Sequence, residues 1–476
     1  MNFSVRMNLN SGRNNSDSEN KNDLQYFDLQ SGELEKDSLQ YTSRNNHTKT
    51  NSYDVNSTFT YPVSKQHFVD VSAGYSYNGT DNAQLAKDLS VPGQETVVDS
   101  LSRFFDYSYG QSPLSVNYRY QSEKGTVNVA AGLKGVGTWM QGNYPALESH
   151  VNRSSFNVVP ELQLNITKEG KQFTFMYSAD AQQPSFDEVQ PVRDVTDPLN
   201  PVVGNPDLAT AFRHQANLSY NQFTMKNNLS VMATISGNLT RNKVVRNQLL
   251  LEDVYQSIRR ETRFLNMNGD YGLNGNYMIR KGFKNNKYNV QLFGMLGYSH
   301  AVSMTDNQKN IGLTWTGNQR LSLNATPNKW LEASANVSYS LNKTDFSLKE
   351  QNRYLTQTWT SGLTGRVTLP ADFQWGANLT KNFVSGINNN ITNNPLVINT
   401  DLSKHLLKSK ELVVSVRVND LLKQNNFVNR RVTDNGIVDS KTNTNSRFAI
   451  FSIIWMPQKW GMGMYRHGDG SLIRMR

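Results

Sequence analysis

Residues 181–208 read AQQPSFDEVQPVRDVTDPLNPVVGNPDL and lie between two strand-like runs of the chain. The stretch holds five prolines, and each proline fixes φ and removes a backbone amide donor. Neither an α-helix nor a central β-strand can therefore continue through it. The stretch predicts a structured, rigid loop between two strands, which we call the central loop.

Alternation of apolar and polar residues dominates the chain on both sides of this loop. In residues 331–341 every odd position is apolar or aromatic and every even position is Glu, Ser or Asn. Such a strand has one apolar and one polar face. We therefore expect Ala335 and Val337 to face lipid, and Asn336 and Ser338 to face a polar lumen. Similar runs occur at 229–240, 311–325, 359–369 and 373–383. Their length matches the roughly 9 to 11 residues that cross a bilayer as a tilted strand.

Short and long connections alternate along the chain, as they do where one rim of a membrane barrel has tight turns and the other has long loops. About 18 strands fit between them, an even number with both chain ends on the short-turn side. Short turns are predicted at 62–66, 122–125, 167–170, 222–227, 281–286, 326–328, 370 and 407–410. Long polar loops are predicted at 11–50, 79–112, 139–154, 180–210, 241–261, 301–308, 343–353, 384–394 and 420–446.

The composition agrees with a membrane β-barrel. Only 37% of the 476 residues are hydrophobic although 10% are aromatic, which suits a sheet with one apolar and one wet face. No apolar run approaches the roughly 18 residues of a membrane helix. The chain has no cysteine, which excludes disulfides and thiolate chemistry. Its net charge of +10 is dispersed through loops without a basic stripe, so we expect no nucleic-acid partner.

Two motifs resemble those of TonB-dependent outer-membrane receptors. The central loop is similar to the mid-barrel loop of these receptors, and residues 420–425, DLLKQN, are similar to a motif before their closing strand, here 447–456. The first motif comprises Gln183, Pro184, Asp194, Asp197, Pro198, Gly204, Asn205, Pro206, Asp207 and Leu208. The second comprises Asp420, Leu421, Leu422, Gln424 and Asn425. We expect the first motif to shape an extracellular vestibule.

The resemblance implies an all-β fold, a transmembrane antiparallel up-and-down β-barrel in the outer membrane of a Gram-negative cell. Family barrels have about 22 strands around an N-terminal plug domain. We therefore expect residues 1–456 to form the barrel without its plug and first strands, and 457–476 to be a disordered periplasmic tail. The start of the chain lacks the pattern of a signal peptide. If the chain closes as about 18 strands, it should form a wide, weakly selective pore. If the missing strands are needed for closure, the two sheet edges stay unpaired and the chain should aggregate, which is the outcome we expect.

No catalytic or metal site is predicted, and we expect no cofactor. The seven histidines show no metal-binding spacing. The acids of the central loop, including Asp187 and Glu188, are expected to be caps, turn formers or cation contacts rather than an acid/base pair. No nucleophile or phosphate-binding motif is found. Polar residues are expected to line the lumen at Arg119, Gln163, Asn238, Arg320, Arg366 and Asn378.

The expected function is that of a transport receptor rather than an enzyme. The resemblance implies TonB-dependent uptake of a bulky, scarce ligand such as a chelate, a peptide or a glycan. Its implied partners are outer-membrane lipid, the barrel-assembly machinery, a plug domain, a periplasmic energy-coupling protein and an extracellular ligand. The alternatives are a passive porin-like channel, for which a barrel of this size leaves room, and a surface adhesin or outer-membrane hydrolase.

Overall fold

The computed structural model describes residues 2–27, 34–145, 148–191, 193–194, 200–251, 259–348, 353–386, 394–407, 411–425, 427–433, 436–442, 445–456, 464–466 and 472–474. These residues form β-strands, one short α-helix, α1 (Phe186–Val189), and 3₁₀ turns at Asp99–Leu101, Met225–Asn227 and Pro370–Asp372. No described helix has the length and apolar character needed to cross a membrane.

Strands occupy most of the described residues. The first half of the chain contains β1 (Asn2–Phe27), β2 (Leu34–Pro62), β3 (His67–Asp88), β4 (Thr96–Val97), β5 (Arg103–Gln121), β6 (Val127–Tyr144), β7 (Ser149–Lys168), β8 (Lys171–Gln182), β9 (Arg193–Asp194), β10 (Val202–Val203), β11 (Ala211–Thr224) and β12 (Leu229–Arg241). The second half contains β13 (Lys243–Leu251), β14 (Arg259–Met267), β15 (Asp270–Phe283), β16 (Tyr288–Thr305), β17 (Gln308–Asn328), β18 (Leu331–Phe346), β19 (Tyr354–Leu369), β20 (Phe373–Ser385), β21 (Leu396–Leu406), β22 (Leu412–Asn419), β23 (Phe427–Thr433), β24 (Gly436–Thr442), β25 (Phe448–Trp455), β26 (Met464–Arg466) and β27 (Leu472–Arg474).

Eighteen strands pair in chain order as one antiparallel up-and-down sheet. They are β1, β2, β3, β5, β6, β7, β8, β11, β12, β15, β16, β17, β18, β19, β20, β21, β22 and β25. Among the described residues β1 pairs only with β2, and β25 only with β22, so these two strands are the edges of the sheet. The predicted all-β meander and its strand number are confirmed.

The two faces of the sheet differ as the alternation predicts. One row of paired residues, Leu323, Ala335, Leu363, Leu379 and Ile398, is apolar across five strands. The adjacent row is polar throughout and consists of Asn324, Ser334, Thr364, Asn378 and Asn399. We call the two surfaces the apolar face and the polar face. Because successive side chains of a strand point to opposite sides, this contrast extends along each strand.

The six residues predicted to line the lumen share the polar face. The strand registers place Arg119, Gln163, Asn238, Arg320, Arg366 and Asn378 on it. Neighbouring polar side chains on this face bond to one another across strands. Asn378 Nδ2 donates to Thr364 Oγ1 at 2.8 Å, and Arg119 Nε lies 2.9 Å from Asp70 Oδ2. Such bonds give these polar groups partners within the sheet, without an apolar cover.

Most predicted short turns lie where expected, although residues 326–328 still belong to β17 and residues 408–410 lie outside the described part of the chain. Several predicted long loops are wrong. Most of residues 11–50 form a hairpin of β1 and β2, in which Gly12 pairs with Thr50. Strands also extend into 139–154, where β6 ends at Tyr144 and β7 begins at Ser149, and into 301–308, where residues 306–307 separate β16 from β17. Residues 11–50 are polar on both faces, so the sequence there has no alternation to mark a strand. Their backbones nevertheless continue the pairing that begins in the apolar part of each strand.

Four strands, β9, β10, β13 and β14, lie outside this meander at the long-connection rim, and we call them the cap sheet. In it β9 pairs with β10, β10 runs parallel to β14, and β14 pairs with β13. The end of β13 also runs parallel to β16, with Asn247 opposite Met304. The cap sheet thus joins the central loop to the hairpin that follows β12. Residues 457–476 lie outside the described part of the chain except for β26 and β27, which pair with each other.

Candidate functional site

The central loop connects β8 to β11 and folds back onto the polar face. Its first turn is helix α1, where the Ser185 amide donates to Glu188 Oε2 at 2.8 Å. This return contact from the third helical residue satisfies an amide that the helix leaves open. The loop then supplies β9 and β10 to the cap sheet. Asp197 and Pro198, two of the predicted motif residues, lie outside the described residues.

An apolar cluster holds the loop in this position. Phe186, Val189 and Leu208 of the loop are buried against strand residues Met140, Val151 and Phe264. The Phe186 ring stacks on Tyr107 with centroids 5.2 Å apart and on Phe105 at 5.6 Å. Gly142 leaves the space for it, since a Cβ there would lie 2.0 Å from the ring. The sheet face that is polar elsewhere is therefore locally apolar where the loop docks.

The GNPDL segment makes a turn with side-chain and backbone partners from three directions. The Asn205 amide donates to Glu188 O at 2.7 Å, and Asn205 Nδ2 donates to Phe264 O at 3.0 Å. The Asp207 amide donates to Asn205 Oδ1 at 2.9 Å. Arg153 of β7 donates to the carbonyl oxygens of Pro206, at 3.1 Å, and of Leu208. Asn205 thus joins helix α1, its own turn and strand β14.

Close contacts also fix Gly204 and the start of the central loop. A Cβ on Gly204 would lie 2.1 Å from the backbone oxygen of Gln190, so only glycine fits there. At the other end Gln183 Nε2 donates to Ser155 Oγ, and Pro184 is buried. These positions fix the path of the loop over the sheet. Their role as walls of a ligand vestibule remains a prediction.

The acids of the central loop meet arginines rather than each other. Asp194 Oδ2 lies 2.6 Å from Arg103 Nη1, and Asp187 Oδ1 lies 3.7 Å from Arg103 Nη2. Arg103 stands at the start of β5, so this pair ties β9 and α1 to the main sheet. Among the described residues, no group of three or more His, Asp or Glu side chains could hold a metal ion.

The second motif is built around the carboxylate of Asp420, which is 1% exposed. Asp420 accepts hydrogen bonds from the amides of Gln424 (3.1 Å) and Asn425 (3.0 Å) and from Ser446 Oγ (2.6 Å). Burial alone would raise the pKa of Asp420, but these bonds together with the charge of Arg447 hold the pKa below its usual value. The carboxylate therefore ties the end of β22 to the residues just before β25.

The rest of the second motif binds β21 or faces outward. The Leu421 amide donates to Ile398 O at 2.8 Å, and the Leu396 amide donates to Gln424 Oε1 at 3.0 Å. Leu421 and Leu422 are exposed. This arrangement is a loop anchor with no reactive group free at its centre.

Sequence reasoning missed the arginine contacts that hold the central loop and the cap sheet. Arg153 lies within a predicted loop, 139–154, and Arg193 lies in the central loop, where the sequence assigns it no partner. Glu261 and Arg263 lie at the end of the loop predicted at 241–261, or just beyond it. Arg153 and Arg193 contact partners more than 50 residues along the chain, whereas Arg263 contacts Glu261 two residues away on the same strand. A single sequence carries no local signal for such a pairing.

An antiparallel meander with one apolar face, one hydrogen-bonded polar face and an inward-folded loop defines a membrane β-barrel protein. Residues 3–455 match the model of the outer membrane protein beta-barrel family, and the chain belongs to this family. It is therefore a protein of the Gram-negative outer membrane, its apolar face meets lipid, and the predicted localisation is confirmed. A comparison with curated protein sequences finds no match.

Several solved outer-membrane structures are similar to the chain at low identity. The FrpB iron transporter from Neisseria meningitidis aligns with a TM-score of 0.40 and 11% identity, over 93% of this chain and 63% of the transporter. The siderophore receptor PirA from Pseudomonas aeruginosa aligns with a TM-score of 0.34 and 12% identity, over 72% of this chain and 73% of the receptor. The ferric yersiniabactin uptake receptor FyuA from Yersinia pestis has a TM-score of 0.34 and 8% identity, over 94% and 78%.

Proposed function

We propose that this chain is the membrane barrel of a TonB-dependent receptor, which captures a bulky and scarce ligand at the cell surface. The observation that carries the proposal is the central loop. Its family-like motif folds inward onto the polar face through Phe186 and Asn205 instead of extending into solvent. A loop held in that position narrows the extracellular mouth and offers a shaped surface to a ligand.

Capture is supported over simple passage by how the rim is built. The cap sheet is joined to both the central loop and β16, so the mouth carries an ordered layer. The hairpin of β1 and β2 extends the surface further, with partners paired from Asn2 to Phe27. A passive pore needs neither feature, because its selectivity depends on an open aqueous channel. A plug domain and a periplasmic energy-coupling protein would act below this mouth, as the resemblance of the two motifs implies.

The two functions differ in their need for energy, and this gives the test. The gene for this chain would be deleted in its native host, and uptake of radiolabelled ferric siderophores, cobalamin and maltodextrins measured with and without the energy-coupling protein. If the chain is a receptor, uptake of one probe should be lost both when its gene is deleted and when the energy-coupling protein is absent. Uptake that persists without energy coupling, together with arabinose flux through liposomes containing the full chain, would instead identify a passive channel.

A further inference from the structure

Two arginines share one buried carboxylate in the cap sheet. Arg193 Nη2 of β9 lies 2.8 Å from Glu261 Oε2, and Arg263 Nε of β14 lies 2.7 Å from Glu261 Oε1. The strand between them is β10, whose Val203 pairs with both Arg193 and Arg263. Each guanidinium group thus contacts its own oxygen of the same carboxylate, Arg193 from across β10 and Arg263 from two residues along β14.

The burial of the three side chains is unequal. The Glu261 side chain is 4% exposed, whereas the side chains of Arg193 and Arg263 are 48% and 58% exposed. The acid is therefore buried, whereas both bases remain open to solvent. Because each guanidinium group is about half exposed, part of its fork stays accessible to a solute while another part neutralises the buried acid.

The charges do not cancel. Two guanidinium groups and one carboxylate leave the trio with one positive charge, and a guanidinium stays protonated at all physiological pH values. Each arginine has five N–H donors and uses only some of them on Glu261. Because Glu261 already fixes their orientation, the arginines lose little conformational freedom when a further group binds. The N–H groups of a planar guanidinium can donate two parallel hydrogen bonds to the oxygens of a carboxylate or a phosphate.

We propose that Arg193 and Arg263, oriented by Glu261, form an anion-binding site that recognises a carboxylate or phosphate group of the captured ligand. The inference deepens the proposed function, on which it rests, by assigning a chemical class to the ligand. The site lies in the cap sheet, which β10 joins to the central loop, and so at the mouth of the barrel. Arg193 belongs to the central loop itself and follows it if the loop moves.

The test uses the full purified chain in a zwitterionic detergent, with inorganic phosphate and citrate as probes in isothermal titration calorimetry. The variants Arg193→Gln and Arg263→Gln are each expected to weaken binding about tenfold, as loss of a charge-assisted pair of hydrogen bonds requires. The double variant should not bind detectably. The matched control is Arg353→Gln, an arginine 63% exposed whose Nε lies 3.3 Å from Asp345, and it should change affinity less than about twofold.

A purely structural role for the trio predicts a different result. Arg263→Lys keeps the positive charge beside Glu261 but loses the planar fork. We expect it to weaken citrate binding about fivefold while trypsin cleaves the cap sheet no faster than in the unmodified chain. Unchanged binding in Arg263→Lys or in the double variant would overturn the proposal, as would equal weakening by Arg353→Gln.

The calorimetry on the purified chain and the uptake assay in cells test the two proposals separately. If phosphate and citrate bind through the two arginines but no energy-dependent uptake is found, the proposed receptor function is wrong and the anion site stands. If uptake is energy-dependent but neither probe binds, the anion site is wrong and the receptor function stands.

Discussion

Replacing Phe186 by alanine should release the central loop from the sheet. The side chain is 3% exposed and stacks on two aromatic rings over the space left by Gly142. Phe→Ala at such a site costs roughly 3 to 5 kcal/mol. Since each 1.4 kcal/mol is a factor of ten in an equilibrium constant, the open form of the loop should become at least about 100 times more populated.

Trypsin cleavage after Arg193 measures this opening, because Arg193 is paired in β9 when the loop is docked. Under weak proteolysis the cleavage rate follows the population of the open form. Phe186→Ala should therefore be cut about 100-fold faster than the unmodified chain. Phe223→Ala, which alters an exposed ring at the opposite end of β11, is the control and should change nothing. A rate within about twofold of the unmodified chain for Phe186→Ala would show that the aromatic cluster does not hold the loop.

Three further outcomes are expected. Ala335→Arg should destabilise the barrel by roughly 2 to 4 kcal/mol and Asn336→Arg far less, in urea titrations in liposomes, and equal losses would contradict the assignment of faces. Gly204→Ala should undock the central loop, because the new Cβ meets Gln190 O at 2.1 Å; trypsin resistance equal to that of the unmodified chain would refute this. The pKa of Asp420 is lowered in the fold, so its contribution to stability is complete above pH 3.8, the ordinary value, and is lost as the pH falls through the lowered pKa. Amide exchange at 421–425 should rise in that acidic range, and Asp420→Asn should remove the rise.

The two faces of the sheet and its turns could be predicted because each is determined by residues that are close together in the sequence. A residue such as Val337 is apolar because its side of the strand meets lipid. Odd- and even-numbered residues of a strand point to opposite faces, so the sequence itself shows which residues share that side. Turns such as Glu169 and Gly170, both at positive φ, are likewise marked by short-range chemistry. Strand number followed from these two signals without any knowledge of tertiary contacts.

The contacts inside the rim could not be predicted because the residues that make them are far apart in the sequence. Asn205 bonds to Phe264, and Arg153 bonds to Pro206 and Leu208, across more than 50 residues in each case. The sequence indicated that the central loop is structured, through its prolines, but not which strand it packs against. The hairpin of β1 and β2 was missed for a related reason: outside the membrane neither face needs to be apolar, so strand pairing leaves no period-two signal.

The two edges of the sheet show what kind of neighbour they require. A strand edge exposed to water usually carries lysine, proline or a bulge that prevents pairing. β25, with the sequence FAIFSIIW, has no charged residue, and Phe451 and Ile453 point from its apolar face. β1 places Phe3 and Val5 on the same apolar face. In hydrocarbon each unpaired backbone group costs several kcal/mol. A shift of one residue in the pairing register of β25 would turn Phe451 into the lumen. Both edges therefore carry the pattern of strands paired within the membrane, so the inserted protein must cover each of them with another strand in one fixed register.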